Sequence, residues 1–123
     1  MDRLSDMVAR IKNGQRRRRL SVEVLESRFC SMVLDCLTRE GFIRGYSVSG
    51  KYTLNVFLKY KDSRPVIEDC KRISTQGRRV YYSAKELRRN YFNNELIVFT
   101  SPKGVFLNGP LTKEGGEALL KIK

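Results

Sequence analysis

The sequence predicts an α+β chain. An N-terminal α/β subdomain over residues 1–62, two helices on a small three-stranded sheet, precedes a mostly β C-terminal subdomain with a short helix over 63–123. Three observations carry this. Apolar residues recur at helical spacing in two segments before Gly41. They alternate at period two beyond the Ser49-Gly50 turn. A polar run, Lys61-Asp62-Ser63-Arg64-Pro65, then separates this half from one rich in short strand-like segments.

The elements follow in order. Leu4, Met7, Val8 and Ile11 stand at i, i+3, i+4 and i+7 and define a helix over 3–12. Asp2 is placed to cap it, and Asn13-Gly14 to stop it with a left-handed residue. Gln15–Arg19 reads as a basic loop. Leu20, Val22 and Val24 alternate as a short strand. Ser27 caps a second helix over 28–40, with Phe29, Met32, Val33, Cys36 and Leu37 as its apolar face and Gly41 as its end. Phe42–Val48 and Lys51–Tyr60 form a β-hairpin, with Tyr52, Leu54, Val56, Leu58 and Tyr60 on one face. Beyond the polar run, Val66–Ser74 is a strand or extended segment, and Gln76-Gly77 turns the chain into Arg78–Tyr82. Ser83-Ala84-Lys85-Glu86 has capping-box spacing and opens one or two helical turns. Glu95–Thr100, Val105–Leu107 and Glu117–Ile122 are strands, Asn93-Asn94 a turn and Ser101–Gly104 a loop. Asn108-Gly109-Pro110 and Gly115-Gly116 read as punctuation.

Charge directs the functional reading. Lys and Arg total 25 against 13 Asp and Glu, a formal charge of +12. The excess is spread evenly along the chain rather than gathered in a tail. A body with so much like charge repels itself, and a polyanion relieves this. Nucleic acid is the leading partner; a soluble basic protein and a basic membrane-surface module are the alternatives. No apolar run is long enough for a membrane helix. Met1–Lys12 carries Asp2 and Asp6 and no apolar stretch, so it is expected to be neither a secretory signal nor a transit peptide.

Missing residues exclude chemistry. With 0 His, there is no Ser-His-Asp or Cys-His centre and no His-bearing zinc site. Three cysteines, Cys30, Cys36 and Cys70, form no short paired spacing, which favours a reducing compartment and packing roles over disulfides or metal. Gly45-x4-Gly50-Lys51 has phosphate-loop spacing, but Tyr52 stands where Ser or Thr would hold magnesium, and the segment lies inside a hairpin. Glu68-Asp69 and Glu23/Glu26 sit among polar residues and read as solvated charge, not as a catalytic pair. No nucleophile–base pair exists, so no enzyme, cofactor or small-molecule substrate is expected.

Three segments are candidate nucleic-acid contacts. Lys12–Arg19 places five cations together without an acid, and adjacent guanidinium forks match phosphate oxygens. Arg78-Arg79 adjoins Tyr81-Tyr82, so one face of an extended segment can pack while the other meets a backbone; both tyrosines in the core is the competing reading. Thr100-Ser101-Pro102-Lys103-Gly104 offers hydroxyls, a cation and a glycine for close approach to irregular RNA, although a plain hairpin turn explains the same residues.

Several collinear stretches resemble one family. Asp2-x-x-x-Asp6-Met7-x-x-Arg10-Ile11-Lys12-Asn13 is similar to the opening helix of the bacterial-type small-subunit ribosomal protein S-eight family. Ser27-Arg28-Phe29, Arg39-Glu40-Gly41-Phe42-Ile43 and Leu58-Lys59-Tyr60 continue the match. Arg72-Ile73-Ser74-x-x-Gly77-Arg78-Arg79-Val80-Tyr81 is its most specific part, followed by Thr100-Ser101-x-Lys103-Gly104-Val105 and Gly115-Gly116-Glu117.

The resemblance implies two small domains that bind the central domain of small-subunit ribosomal RNA beside neighbouring small-subunit proteins, without a cofactor or metal. The rival reading, from another class, is a free-standing RNA-binding translational regulator. The RNA-binding residues that the resemblance and the charge pattern nominate are Arg10, Lys12, Asn13, Arg16, Arg17, Arg18, Arg19, Ser27, Arg28, Arg72, Arg78, Arg79, Thr100, Ser101, Lys103 and Gly104. The chain departs from the family pattern at Ala9, at Pro102 in place of a third hydroxyl, across Phe106–Glu114 in place of an Arg-bearing helix, and at its non-aromatic last strand. Such drift points to an organellar, mitochondrial ribosome, with a plastid or a divergent bacterial cytoplasm as alternatives.

Overall fold

A computed structural model describes residues Asp2–Lys123. The chain folds as two compact units, one up to Glu68 and one from Asp69 onward. The sequence placed the break after Asp62. The extra residues stay with the first unit because Tyr60–Lys61 (β4) and Arg64–Pro65 (β5) pair with each other, Tyr60 opposite Pro65. Among the described residues the fold is α+β, with three helices and antiparallel sheets.

The first unit runs α1 (Arg3–Arg16), β1 (Ser21–Leu25), α2 (Arg28–Arg39), β2 (Ile43–Val48) and β3 (Thr53–Leu58), ahead of β4 and β5. Its three-stranded antiparallel sheet has the order β1-β3-β2. Asp2 caps α1 by accepting the Ser5 N–H at 2.7 Å. Leu4, Met7, Val8 and Ile11 from α1 meet Val24, Leu54, Val56 and Leu58 in one core, each worth about 1.5–3 kcal/mol when fully buried.

Two helical expectations are corrected. The first helix runs through Asn13-Gly14 to Arg16 instead of stopping at 12. Gly14 is there for close packing, since a Cβ would overlap Val22 Cγ1 of β1 and reach Leu58 Cδ1 at 3.0 Å. On α2 the buried face is Cys30, Val33, Leu34, Cys36 and Leu37, while Phe29 and Met32 are partly exposed, at 39 % and 37 %. The face is rotated because α2 lies against the sheet along the Cys30–Leu34 row. Gly41, at φ +83°, ends α2, with Phe42 N–H on the Leu37 carbonyl and Gly41 N–H on the Thr38 carbonyl.

The second unit comprises β6 (Cys70–Arg72), β7 (Tyr81–Tyr82), α3 (Ala84–Phe92), β8 (Leu96–Ser101), β9 (Gly104–Leu107) and β10 (Gly116–Ile122). Strand β10 is central: its start pairs with β7, its end with β6, and both parts with β8, which pairs in turn with β9. Leu87, Ile97, Phe99 and Ala118 form a core with Ile73, Val80 and Tyr82 packed against it. Ser83 and Glu86 close the expected capping box, but α3 spans 9 residues rather than one or two turns. The extended segment 66–74 is a regular strand only at Cys70–Arg72, although Ile73 and Ser74 still donate their N–H groups to the Leu119 and Ala118 carbonyls of β10.

Candidate nucleic-acid interface

In the first unit, α1 delivers the basic tract to a tightly defined turn. Arg18 N–H bonds the Gln15 carbonyl at 3.2 Å and Arg19 N–H the Gly14 carbonyl at 2.9 Å, a Schellman ending with Arg18 at φ +56°. The four arginines then part company. Arg18 donates to the Ser63 carbonyl, and the Tyr60 hydroxyl donates to the Arg19 carbonyl at 2.6 Å. Desolvation raises the Tyr60 pKa, partly offset by the nearby Arg18 charge. Arg17 and Arg19, with Arg10, Asn13, Gly14, Ser21, Val22 and Glu23, line a concavity of about 330 Å³ between α1 and β1. Arg16 stays outside it, exposed in the last turn of α1.

Arg10 is largely committed within the protein. Its Nε lies 2.9 Å from Asp6 Oδ2, and its Nη1 donates to the Glu23 carbonyl at 3.0 Å. Lys12 is half-buried on the same helix. Ser27 Oγ accepts the Cys30 N–H at 3.0 Å as the cap of α2, and Arg28 follows it, exposed. The Gly45–Lys51 segment lies in β2 and its turn to β3, with no helix following. Burial pushes the Cys36 thiol up to about 11, and Cys30 shifts upward chiefly for the same reason. Among the described residues, no group of three Cys, Asp or Glu side chains could hold a metal ion.

In the second unit, Ser74 organises the Arg72–Tyr81 segment. It is fully buried; its Oγ accepts the Val80 N–H at 2.9 Å and donates to the Val80 carbonyl at 3.2 Å. That bond pins the Thr75–Arg78 loop and sends Arg78 into solvent. Arg79 turns to Glu117 at 3.0 Å, and Arg72 is half-buried. The two tyrosines divide: Tyr81 is 67 % exposed, and Tyr82 packs on the core.

The loop of Thr100–Gly104 is a tight hairpin. Ser101 pairs with Gly104, leaving Pro102-Lys103 at the tip. Ser101 Oγ accepts the Lys103 N–H at 3.2 Å, so its O–H is spare. Thr100 Oγ1 reaches the Gly104 carbonyl only at 3.5 Å, a weak bond easily exchanged for an outside acceptor. Gly104 sits at φ +139°, where a side chain is strained, so its glycine serves the hairpin itself as well as any close approach. Lys103 meets Glu114 at 3.1 Å, an exposed pair of little energetic worth.

Sequence reasoning missed what supports this hairpin. Asn108, only 2 % exposed, accepts the Ile97 N–H at 2.9 Å and donates to the carbonyls of Leu87 and Glu95 at 2.9 and 3.0 Å. It thus ties β8, α3 and the turn between them. Before Gly109-Pro110 it looked like a turn residue, and nothing in the sequence marks an asparagine as buried. Gly116 lies under the Thr100 carbonyl, and Gly115 beside Tyr82 and Ser83; a Cβ on either would overlap backbone. Their adjacency just ahead of a strand was the available signal.

The sequence profile of the family described as Ribosomal protein S8 matches residues 2–122. The "Small ribosomal subunit protein uS8" of Rhizobium etli (strain CIAT 652) is 40 % identical over 98 % of this chain and 96 % of its own length. The protein of the same name from Acidiphilium cryptum (strain JF-5) is 40 % identical, with 98 % of each chain covered. The chain belongs to the ribosomal protein S8 family. It is a constituent of the small ribosomal subunit, a structural part of the particle and not an enzyme.

Proposed function

We propose that this protein binds the central domain of small-subunit ribosomal RNA, beside neighbouring ribosomal proteins, and supports assembly of the subunit. The observation that carries this reading is the hairpin Thr100–Gly104, which presents a spare Ser101 hydroxyl and a weakly held Thr100 hydroxyl at a tight tip. Short donors of this kind reach ribose 2′-hydroxyls and irregular base edges. The exposed Arg17, Arg19, Arg28 and Arg78 add phosphate contacts, which give affinity without sequence choice.

The reading extends to a mitochondrial ribosome. Pro102 at the hairpin tip and the absence of any helix across residues 108–115 support it, as departures from the bacterial-type pattern. Sedimentation through sucrose at high salt, after separating organelles from cytosol, tests both parts. The protein is expected to travel with the organellar small subunit; recovery as a free protein would contradict the structural role, and recovery in the cytosolic fraction the compartment.

A further inference from the structure

We infer that the four-arginine tract is a preorganised phosphate site rather than a flexible basic arm, with Arg18 as its anchor and Arg17 and Arg19 as its ligand-binding arms. The inference rests on the RNA-binding reading and assigns roles within it.

Four bonds fix the tract. Two are the N–H bonds of Arg18 and Arg19 to the carbonyls of Gln15 and Gly14. The third runs from the Arg18 guanidinium to the Ser63 carbonyl, and the fourth from the Tyr60 hydroxyl to the Arg19 carbonyl at 2.6 Å. The last two come from one buttress, the β4–β5 hairpin, whose turn residues Asp62 and Ser63 lie at φ +52° and +64°. This is the two-residue turn that closes a tight hairpin, and it presents the Ser63 carbonyl to Arg18.

Arg18 itself occupies a backbone position that favours glycine. Its guanidinium bond to Ser63 accounts for an arginine there, and commits that side chain to the protein. Arg17 and Arg19 make no such commitment: both are exposed, and both line the concavity between α1 and β1 together with Asn13. Two guanidinium forks and an amide around one hollow match the oxygens of a phosphodiester. The Glu23 carboxylate at its edge is turned toward Ser49 Oγ, at 3.4 Å. Holding the arms in place beforehand lowers the ordering cost of binding.

The test uses the full chain with a central-domain RNA fragment and measures affinity across a salt series for Arg17→Gln, Arg18→Gln, Arg19→Gln and Tyr60→Phe. Arg17→Gln and Arg19→Gln should each make the log–log salt slope shallower by about 1. Arg18→Gln and Tyr60→Phe should weaken binding by roughly 3–10-fold at every salt with the slope kept, as expected when order rather than a contact is lost. A slope change in Arg18→Gln equal to that in Arg17→Gln, or wild-type affinity in Tyr60→Phe, overturns the inference. Failure of the unaltered protein to bind the fragment would instead defeat the RNA reading. In that case NMR titration with inorganic phosphate still decides the site: the side-chain N–H signals of Arg17 and Arg19 should shift and that of Arg18 stay, and equal shifts in all three, or none, would refute it.

Discussion

The two units present themselves to a polyanion in different ways. In the first, side-chain charge stands at the front: Arg17 and Arg19 project from a turn whose backbone is held by Gln15, Gly14 and Tyr60, with the Arg18 side chain on the Ser63 carbonyl. In the second, most cations near the hairpin are occupied, Arg79 by Glu117 and Lys103 by Glu114, and the exposed features are small hydroxyls on a tight turn. Phosphate contacts carry affinity that falls with salt, whereas short donors read local shape. On the RNA-binding reading proposed above, the first unit would chiefly hold RNA and the second chiefly recognise it, each surface with its own structural support.

That contrast can be broken at its supports. The largest effect is expected from Asn108→Ala, which removes three hydrogen bonds, two of them buried, and strands their partners. It should destabilise the second unit by about 2–4 kcal/mol in urea unfolding followed by residue-resolved NMR, leaving the first unit unchanged. A loss common to both units would show that their stabilities are not separable. Next comes Thr100→Val with Ser101→Ala. This pair should weaken binding to central-domain RNA by about 1–3 kcal/mol in filter binding, and more for the matched RNA than for an unrelated one. It is a cleaner probe than Gly104→Val, which also strains the hairpin at φ +139°.

The smallest effects sharpen the contrast through pH. Tyr46 donates to the Asp35 carboxylate at 2.6 Å, which together with desolvation raises its pKa to about 12, and burial raises that of Cys36 to about 11. The folded first unit holds these protons more tightly than the unfolded chain does. Their stabilisation is complete below the unfolded values of 9.0 and 10.0 and is lost as pH rises through the folded ones. Glu86 in the second unit shifts the other way, its carboxylate favoured first by the Ser83 backbone N–H. Its contribution is present above the unfolded value of 4.5 and disappears as pH falls through the lower folded value. Urea midpoints resolved by unit should therefore decline at the alkaline end in the first unit and at the acid end in the second.

The sequence was most legible where period and local chemistry agree. Leu4, Met7, Val8 and Ile11 all face the core, and the caps at Asp2, Ser27 and Ser83 stand where side-chain oxygens precede a helix. It misled where a residue does two jobs. Gly14 looked like a stop because Asn-Gly favours turns, yet it lies inside α1 so that the helix can approach Val22. Phe29 and Met32 looked like core by type, but the buried row of α2 is set by the sheet it meets. The basic tract was visible as charge, while the bonds that hold Arg18 and Arg19 in place come from Ser63 and Tyr60, more than forty positions away along the chain. Asn108 stood out only as turn punctuation and Ser74 only as part of a motif; that both are buried was not legible, since burial of a single polar residue is decided by tertiary packing.

The division between holding and recognising is tested most directly by one binding experiment. Affinity for the central-domain fragment and for an unrelated RNA of equal length is measured across a salt series with the Arg17→Gln/Arg19→Gln and Thr100→Val/Ser101→Ala variants. The tract variant should flatten the salt dependence and keep the preference for the central-domain fragment; the hairpin variant should lose the preference and keep the salt dependence. If both variants change both quantities alike, the two surfaces do not have separate roles.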